Sequence, residues 1–147
     1  MESKLDRITG KEIRKQLKTV WPDIYSLNTD KEFIVPNDSE VKDLIVERSA
    51  AEIRVLDDIA ECDDISIILW GHIKEARAVL AAENKITVQD QMSWPFGICF
   101  GLKFNGRKMS HWQNLCFTQQ GILMIEPQLN MFWIGSFTND DVRFALI

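Results

Sequence analysis

The sequence predicts an α+β fold with helices first and strands second, and three observations lead there. Apolar residues recur at helical spacing in the first half: Ile13, Leu17, Val20 and Trp21, and later Ile65, Ile68, Leu69, Ile73, Ala76, Val79 and Leu80. After Asn84 the pattern changes to short runs rich in aromatic and β-branched residues: PFGICFGLKF (95–104), NLCFT (114–118), GILMIEP (121–127) and MFWIGSF (131–137). Turn signals at Asn105-Gly106, Gln120-Gly121 and Pro127 separate these runs, as in an antiparallel meander. Helices segregated from consecutive strands indicate α+β rather than alternating parallel α/β, with a central Cys-bearing helix packed on a C-terminal antiparallel β-sheet.

Each element has a local reason. Thr9 followed by Glu12 has capping-box spacing and opens a helix that Pro22 ends. Pro36-Asn37-Asp38-Ser39 is a turn and N-cap cluster from which Val41, Leu44 and Ile45 launch a second helix over about 40–50, with a third over about 51–60. The strongest helix runs from Asp63 to about Ala82, and Ile67 and Trp70 off its stripe predict burial on more than one side. No repeat, low-complexity stretch or linker divides the chain. One domain over 1–147 is expected, with an N-terminal helical extension (1–32), a helical part (33–83) and a β-sheet part (92–147). The apolar end, Val142, Phe144, Leu146 and Ile147, is expected to cover a sheet edge or to pair with a second subunit.

Composition narrows the function classes. A chain of 147 residues, 46% hydrophobic and 27% charged, has enough apolar material for one packed core. Its formal charge of −5 argues against phosphate-backbone binding, so no nucleic acid partner is expected. Residues 1–18 are locally basic, and a solvated helix face accounts for that. The first 30 residues hold no apolar signal-like run, and no stretch approaches the ~20 apolar residues that span a bilayer, which gives the expectation of a cytoplasmic protein without a membrane partner. Three cysteines, Cys62, Cys99 and Cys116, lack CxxC spacing and suggest free thiols rather than a disulfide framework or a zinc cluster.

The stretch ECDDIS (61–66) sets a thiol and two carboxylates at the start of a helix. A thiol at a helix N-terminus gains thiolate character from the helix dipole, whereas Asp63 and Asp64 beside Cys62 oppose it unless they point elsewhere or hold a cation. Of the two histidines, His72 stands ten residues along the helix, roughly 15 Å from its start at 1.5 Å per residue, too far to serve that thiol. His111 begins a strand, SHWQNLCFT, and the hairpin returning through GILMIEPQ brings Glu126 alongside, so the order Cys, His, acid is available. Glu126 on an apolar strand needs a partner in any case, most simply His111. The plainer alternative is an ordinary buried thiol at a helix start, with Cys99 and Cys116 as core thiols and Trp70, Trp94, Trp112 and Trp133 as core or groove-wall residues.

ECDDIS followed by SHWQN and LMIEPQ resembles a papain-like (transglutaminase/cysteine-peptidase-like) group of phage proteins, similar to the C-terminal peptidase domain of certain fungal agglutinins. The resemblance covers about residues 33–133 and starts at FIVPNDSEVKDLI. It implies Cys62 as nucleophile, His111 as general base and Glu126 as the group orienting the imidazole. Asn114, Gln128 and Trp112 would support the site, and Asp63 and Asp64 would match paired acids that accompany a divalent cation such as calcium in some relatives. No cofactor is required for the implied cleavage of an amide or ester in a peptide or protein substrate. Ser110 and Ser66 depart from the group's pattern. The alternative is a catalytically silent scaffold that binds a host protein as an inhibitor or interaction module.

Overall fold

The computed structural model describes residues 7–47, 61–83, 85–86 and 92–147; the helix expected over 51–60 lies outside them. Strand β1 (Arg7–Thr9) leads into helix α1 (Gly10–Val20), followed by β2 (Tyr25–Leu27), β3 (Glu32–Ile34), α2 (Asp38–Glu47) and α3 (Cys62–Ala82). Strands β4 (Phe96–Phe104), β5 (Arg107–Thr118), β6 (Gly121–Glu126), β7 (Met131–Ile134) and β8 (Asp141–Leu146) complete the fold.

Local chemistry fixes several boundaries. The Glu12 N–H donates to Thr9 Oγ1 at 3.2 Å and the Thr9 N–H to Glu12 Oε2 at 2.7 Å, a closed capping box at the start of α1. Asn37 Oδ1 accepts from the Glu40 N–H at 3.0 Å and so caps α2. Asn105 and Gly106 take φ of 49° and 80° and make the tight reversal between β4 and β5.

The expected fold class, a papain-like α+β arrangement of N-terminal helices and a Cys-bearing helix on a purely antiparallel C-terminal sheet, needs correction. The N-terminal third contributes three strands of its own. β1 and β3 form a two-stranded antiparallel sheet, and β2 joins the large sheet, whose order is β2-β8-β4-β5-β6-β7. β2 runs parallel to β8, which makes that sheet mixed. These three-residue strands have no periodic signature; pairing with distant partners creates them. The C-terminal segment is likewise no edge cover. β8 lies between β2 and β4, inside the sheet.

Both faces of the large sheet are covered. On one, Ile13 and Leu17 of α1 and Trp21 pack with Leu115, Phe117, Ile122 and Met124. On the other, Val41 and Ile45 of α2 and Ile65, Leu69 and Ile73 of α3 pack with Phe96, Cys116, Leu123 and Ile125. Consecutive residues of β5 and β6 therefore alternate between two cores, and this is why ILMI reads as an unbroken apolar run. α3 buries one side only. Ile67, expected to be covered, is 50% exposed.

Candidate functional site

The twist and pleat of β5 decide what its polar side chains can reach. Within 111–116 the pairing of β5 with β4 is regular, so side chains alternate strictly. Cys116 packs with α3, and Asn114 Nδ2 donates to the carbonyl oxygens of Ser66 in α3, at 2.9 Å, and of Gly97, at 3.1 Å. Trp112, Asn114 and Cys116 thus share the α3 face. His111, Gln113 and Leu115 share the α1 face, where the His111 ring lies edge-on to Phe104 at 6.1 Å.

The hairpin of β5 and β6 brings His111 and Glu126 together. His111 Nε2 and Glu126 Oε2 are 2.5 Å apart, with side chains only 11% and 12% exposed, and Glu126 Oε1 accepts the Gln128 N–H at 3.1 Å. Gln128 therefore contributes its backbone to holding the carboxylate. Register sets Gln113 next to this pair: Asn114 lies opposite Ile125, so Gln113 falls opposite Glu126 on the same face. Gln113 is fully buried, and neither polar atom of its side chain has a partner among the described residues. The sequence reading passed over Gln113, although its place two residues after His111 was a sufficient signal.

Cys62 occupies the first position of α3, half-buried, and its carbonyl oxygen accepts from Ser66 Oγ at 2.7 Å. No hydrogen bond joins its thiol to His111 among the described residues. The body of α3 packs on the Asn114 face of the sheet, and His111 points to the other face. Cys99 and Cys116 are fully buried, and burial pushes both thiols far up, so they remain neutral.

Asp64 serves the helix start, its Oδ2 accepting the Glu61 N–H at 3.0 Å. Asp63 and Asp64 would be the donors to a calcium ion. Asp64 is bonded within α3 through Oδ2, and among the described residues no group of three or more Asp, Glu, His or Cys side chains gathers beside the pair.

Trp112 belongs to a feature that spacing did not show. Phe100 pairs with both Trp112 and Phe144, and Phe144 with Tyr25, so four aromatic side chains stand in line across β5, β4, β8 and β2. Their rings touch: Phe100 and Trp112 at 5.3 Å between centroids, Trp112 and Phe144 at 5.8 Å, Tyr25 and Phe144 at 6.2 Å. The outermost, Tyr25, is 63% exposed.

Asn114 is the pin between α3 and the sheet. We expect Asn114→Ala to cost roughly 2–3 kcal/mol, because it removes both side-chain bonds across the buried seam of α3 and the sheet and leaves a small void. Urea unfolding checks this, and a loss under 1 kcal/mol would contradict the role.

No protein-family model matches the chain, and no characterised protein matches it in sequence. Solved structures do match in fold. One, described as a PSL1a-E64 complex, superposes with a TM-score of 0.73 at 16% identity over 96% of this chain. A second, Polyporus squamosus lectin bound to the human-type influenza-binding epitope Neu5Aca2-6Galb1-4GlcNAc, gives 0.70 at 17% identity, also over 96%. The chain spans about half the length of each, 50% and 49%. At this identity the likeness establishes the fold alone. The expected membership of a papain-like group, and with it the cysteine-peptidase and hydrolase reading, is corrected: no family model supports it, and a solved structure of similar fold carries the name of a lectin.

Proposed function

We propose that this chain is a non-catalytic binding module whose recognition face is the aromatic row Tyr25, Phe144, Phe100 and Trp112. The carrying observation is that four rings are held in cross-strand register on a rigid sheet and yet are not sealed into the core: Tyr25 is 63% exposed and the other three are half-buried. Rings fixed by their neighbours bind with little loss of side-chain entropy, and contiguous exposed aromatic surface marks interaction sites.

An oligosaccharide is the ligand class to test first, since flat aromatic faces accept the C–H faces of sugar rings and the lectin of similar fold is described with a sialylated trisaccharide. The sugar is said of that lectin, half of whose chain is matched here; for this chain it is a prediction. A glycan array followed by calorimetry should find binding that Trp112→Ala weakens at least tenfold. A protein partner lost in the same variant would keep the module and replace the ligand class. Binding that ignores both Trp112→Ala and Tyr25→Ser overturns the assignment of the face.

Iodoacetamide, which alkylates thiolates faster than thiols, supplies the counter-test. Without a bonded imidazole, Cys62 should react no faster than a free thiol of the same exposure. Faster capture of Cys62 that disappears in His111→Ala would overturn the non-catalytic reading.

A further inference from the structure

Charge is distributed unevenly across the large sheet. α1 holds four of the chain's 17 cations and one of its 22 acids, whereas α2, packed on the opposite face, holds four acids and one cation. Lys11, Arg14, Lys15 and Lys18 are all exposed and stand at i, i+3, i+4 and i+7. At 3.6 residues per turn they fill one arc of about 100° and run about 10 Å along the helix. Every one of them has like-charged neighbours a turn away, an arrangement that weakens the helix and that acids set between them would relieve.

The fold does not consume these charges. The side chains of Lys11, Arg14 and Lys15 make no hydrogen bond or ion pair among the described residues, and Lys18 Nζ reaches only the Pro22 carbonyl, at 3.2 Å. The acids bordering α1 are matched elsewhere. Glu12 closes the capping box, Glu32 lies 3.9 Å from Arg7, Asp30 lies 3.6 Å from Lys74, and Asp23 acts on Arg143. Over residues 1–18 as a whole, six cations stand against three acids. The acids of α2 lie beyond the sheet, and charges are screened over about 8 Å at physiological salt, so they leave the field of α1 standing.

An apolar group stands at the end of this stripe. Phe137, 70% exposed, sits on a turn closed by the Asp140 N–H on the Ser136 carbonyl at 3.0 Å and the Ser136 N–H on Asp140 Oδ2 at 2.9 Å. Phe137 and Pro22 line one cavity of about 390 Å³, and Trp21 Nε1 donates to the Asp140 carbonyl at 3.0 Å, so the turn abuts the end of α1. Beside the ring, Lys103 Nζ donates to the Thr138 carbonyl at 2.7 Å.

We propose that α1 and Phe137 form a docking surface for an anionic lipid bilayer, the cations lying on the headgroups and the ring entering between them. Clustered cations on a helix are drawn to an anionic leaflet, and an exposed ring gains by leaving water there. A polyanionic strand would use the stripe but give Phe137 no apolar phase to enter. Ile13 and Leu17 occupy the apolar side of α1 within the core, so the helix adsorbs and does not insert. This surface lies on the other face of the sheet from the aromatic row and does not rest on it.

Sedimentation of the intact chain with vesicles of phosphatidylcholine and about one-third phosphatidylserine tests this, with pure phosphatidylcholine as the reference. The chain should bind the mixed vesicles only, and raising salt from about 0.1 M to about 1 M should release it. Arg14→Gln with Lys15→Gln should weaken binding about twentyfold, since each cation at the leaflet contributes about fivefold. Lys42→Gln with Lys85→Gln removes the same charge outside α1 and should change it by less than about twofold. Phe137→Ser should weaken it about threefold. Equal binding to pure phosphatidylcholine, insensitivity to salt, or unchanged affinity in the Arg14 and Lys15 variant or in Phe137→Ser overturns the proposal. So does loss in the Lys42 and Lys85 variant, or tighter capture by poly-L-glutamate or duplex DNA than by the vesicles.

Discussion

Asp140→Ala should destabilise the protein by about 3–5 kcal/mol, one of the two largest effects we expect from a single substitution. Asp140 is 1% exposed, and neutral N–H donors rather than a cation surround its carboxylate. Oδ1 accepts from the Asn105 N–H at 2.9 Å and from Trp133 Nε1 at 3.0 Å, and Oδ2 accepts from the Ser136 N–H at 2.9 Å. The Asp140 carbonyl also accepts from Trp21 Nε1 at 3.0 Å. One residue thus ties together the β4–β5 turn, β7, the loop before β8 and the end of α1. Hydrogen bonds to a charged acceptor are worth about 1.5–3 kcal/mol each, and alanine strands all three donors to the carboxylate. Thermal melting should drop by roughly 10 °C or more. Asp140→Asn keeps one acceptor oxygen and should recover part of the loss. If the alanine variant falls by less than 1 kcal/mol, the carboxylate does not organise this end of the sheet.

Gly97→Ala should be at least as damaging, by a different route. A β-carbon at Gly97 would overlap the Leu146 carbonyl oxygen and come within 2.8 Å of Ile147 Cα, and both are backbone atoms that cannot turn aside. The end of β8 would have to move away from β4. It cannot do so freely, because the Ile147 N–H donates to Leu27 O at 2.9 Å and the Thr29 N–H donates to Ile147 O at 2.5 Å. The same shift disturbs the Gly97 carbonyl that receives Asn114. We expect a loss above about 4 kcal/mol, or failure to fold, with Gly71→Ala as the benign control because nothing lies within 4 Å of its β-carbon. Equal stability of the two variants in urea would contradict the close approach of β4 and β8.

Much of the local structure was legible because its causes are local. The Thr9 and Glu12 capping box, the Asn37 cap, the start of a long helix next to Asp63 and the Asn105-Gly106 reversal each depend on residues within four positions of one another. The proximity of His111 to Glu126 followed from a single hairpin. The short strands β1, β2 and β3 did not follow, since their partners lie up to 119 positions away.

By itself the sequence determined which segments become helix or hairpin and that His111 and Asn114, three apart on a strand, must point to opposite faces. Only the tertiary structure decided which face α3 would cover. The strands are apolar on both sides, so nothing in their pattern distinguishes the two cores, and long-range packing placed α3 with Asn114 and away from His111. The aromatic row was decided in the same way. An unshifted hairpin from Asn105-Gly106 would pair Trp112 with Cys99. The irregularity between Gly101 and Lys103 moves the register by one residue and pairs Trp112 with Phe100 instead. A one-residue slip exchanges every side chain between faces, and its energy is set by the whole sheet rather than by the turn that starts it.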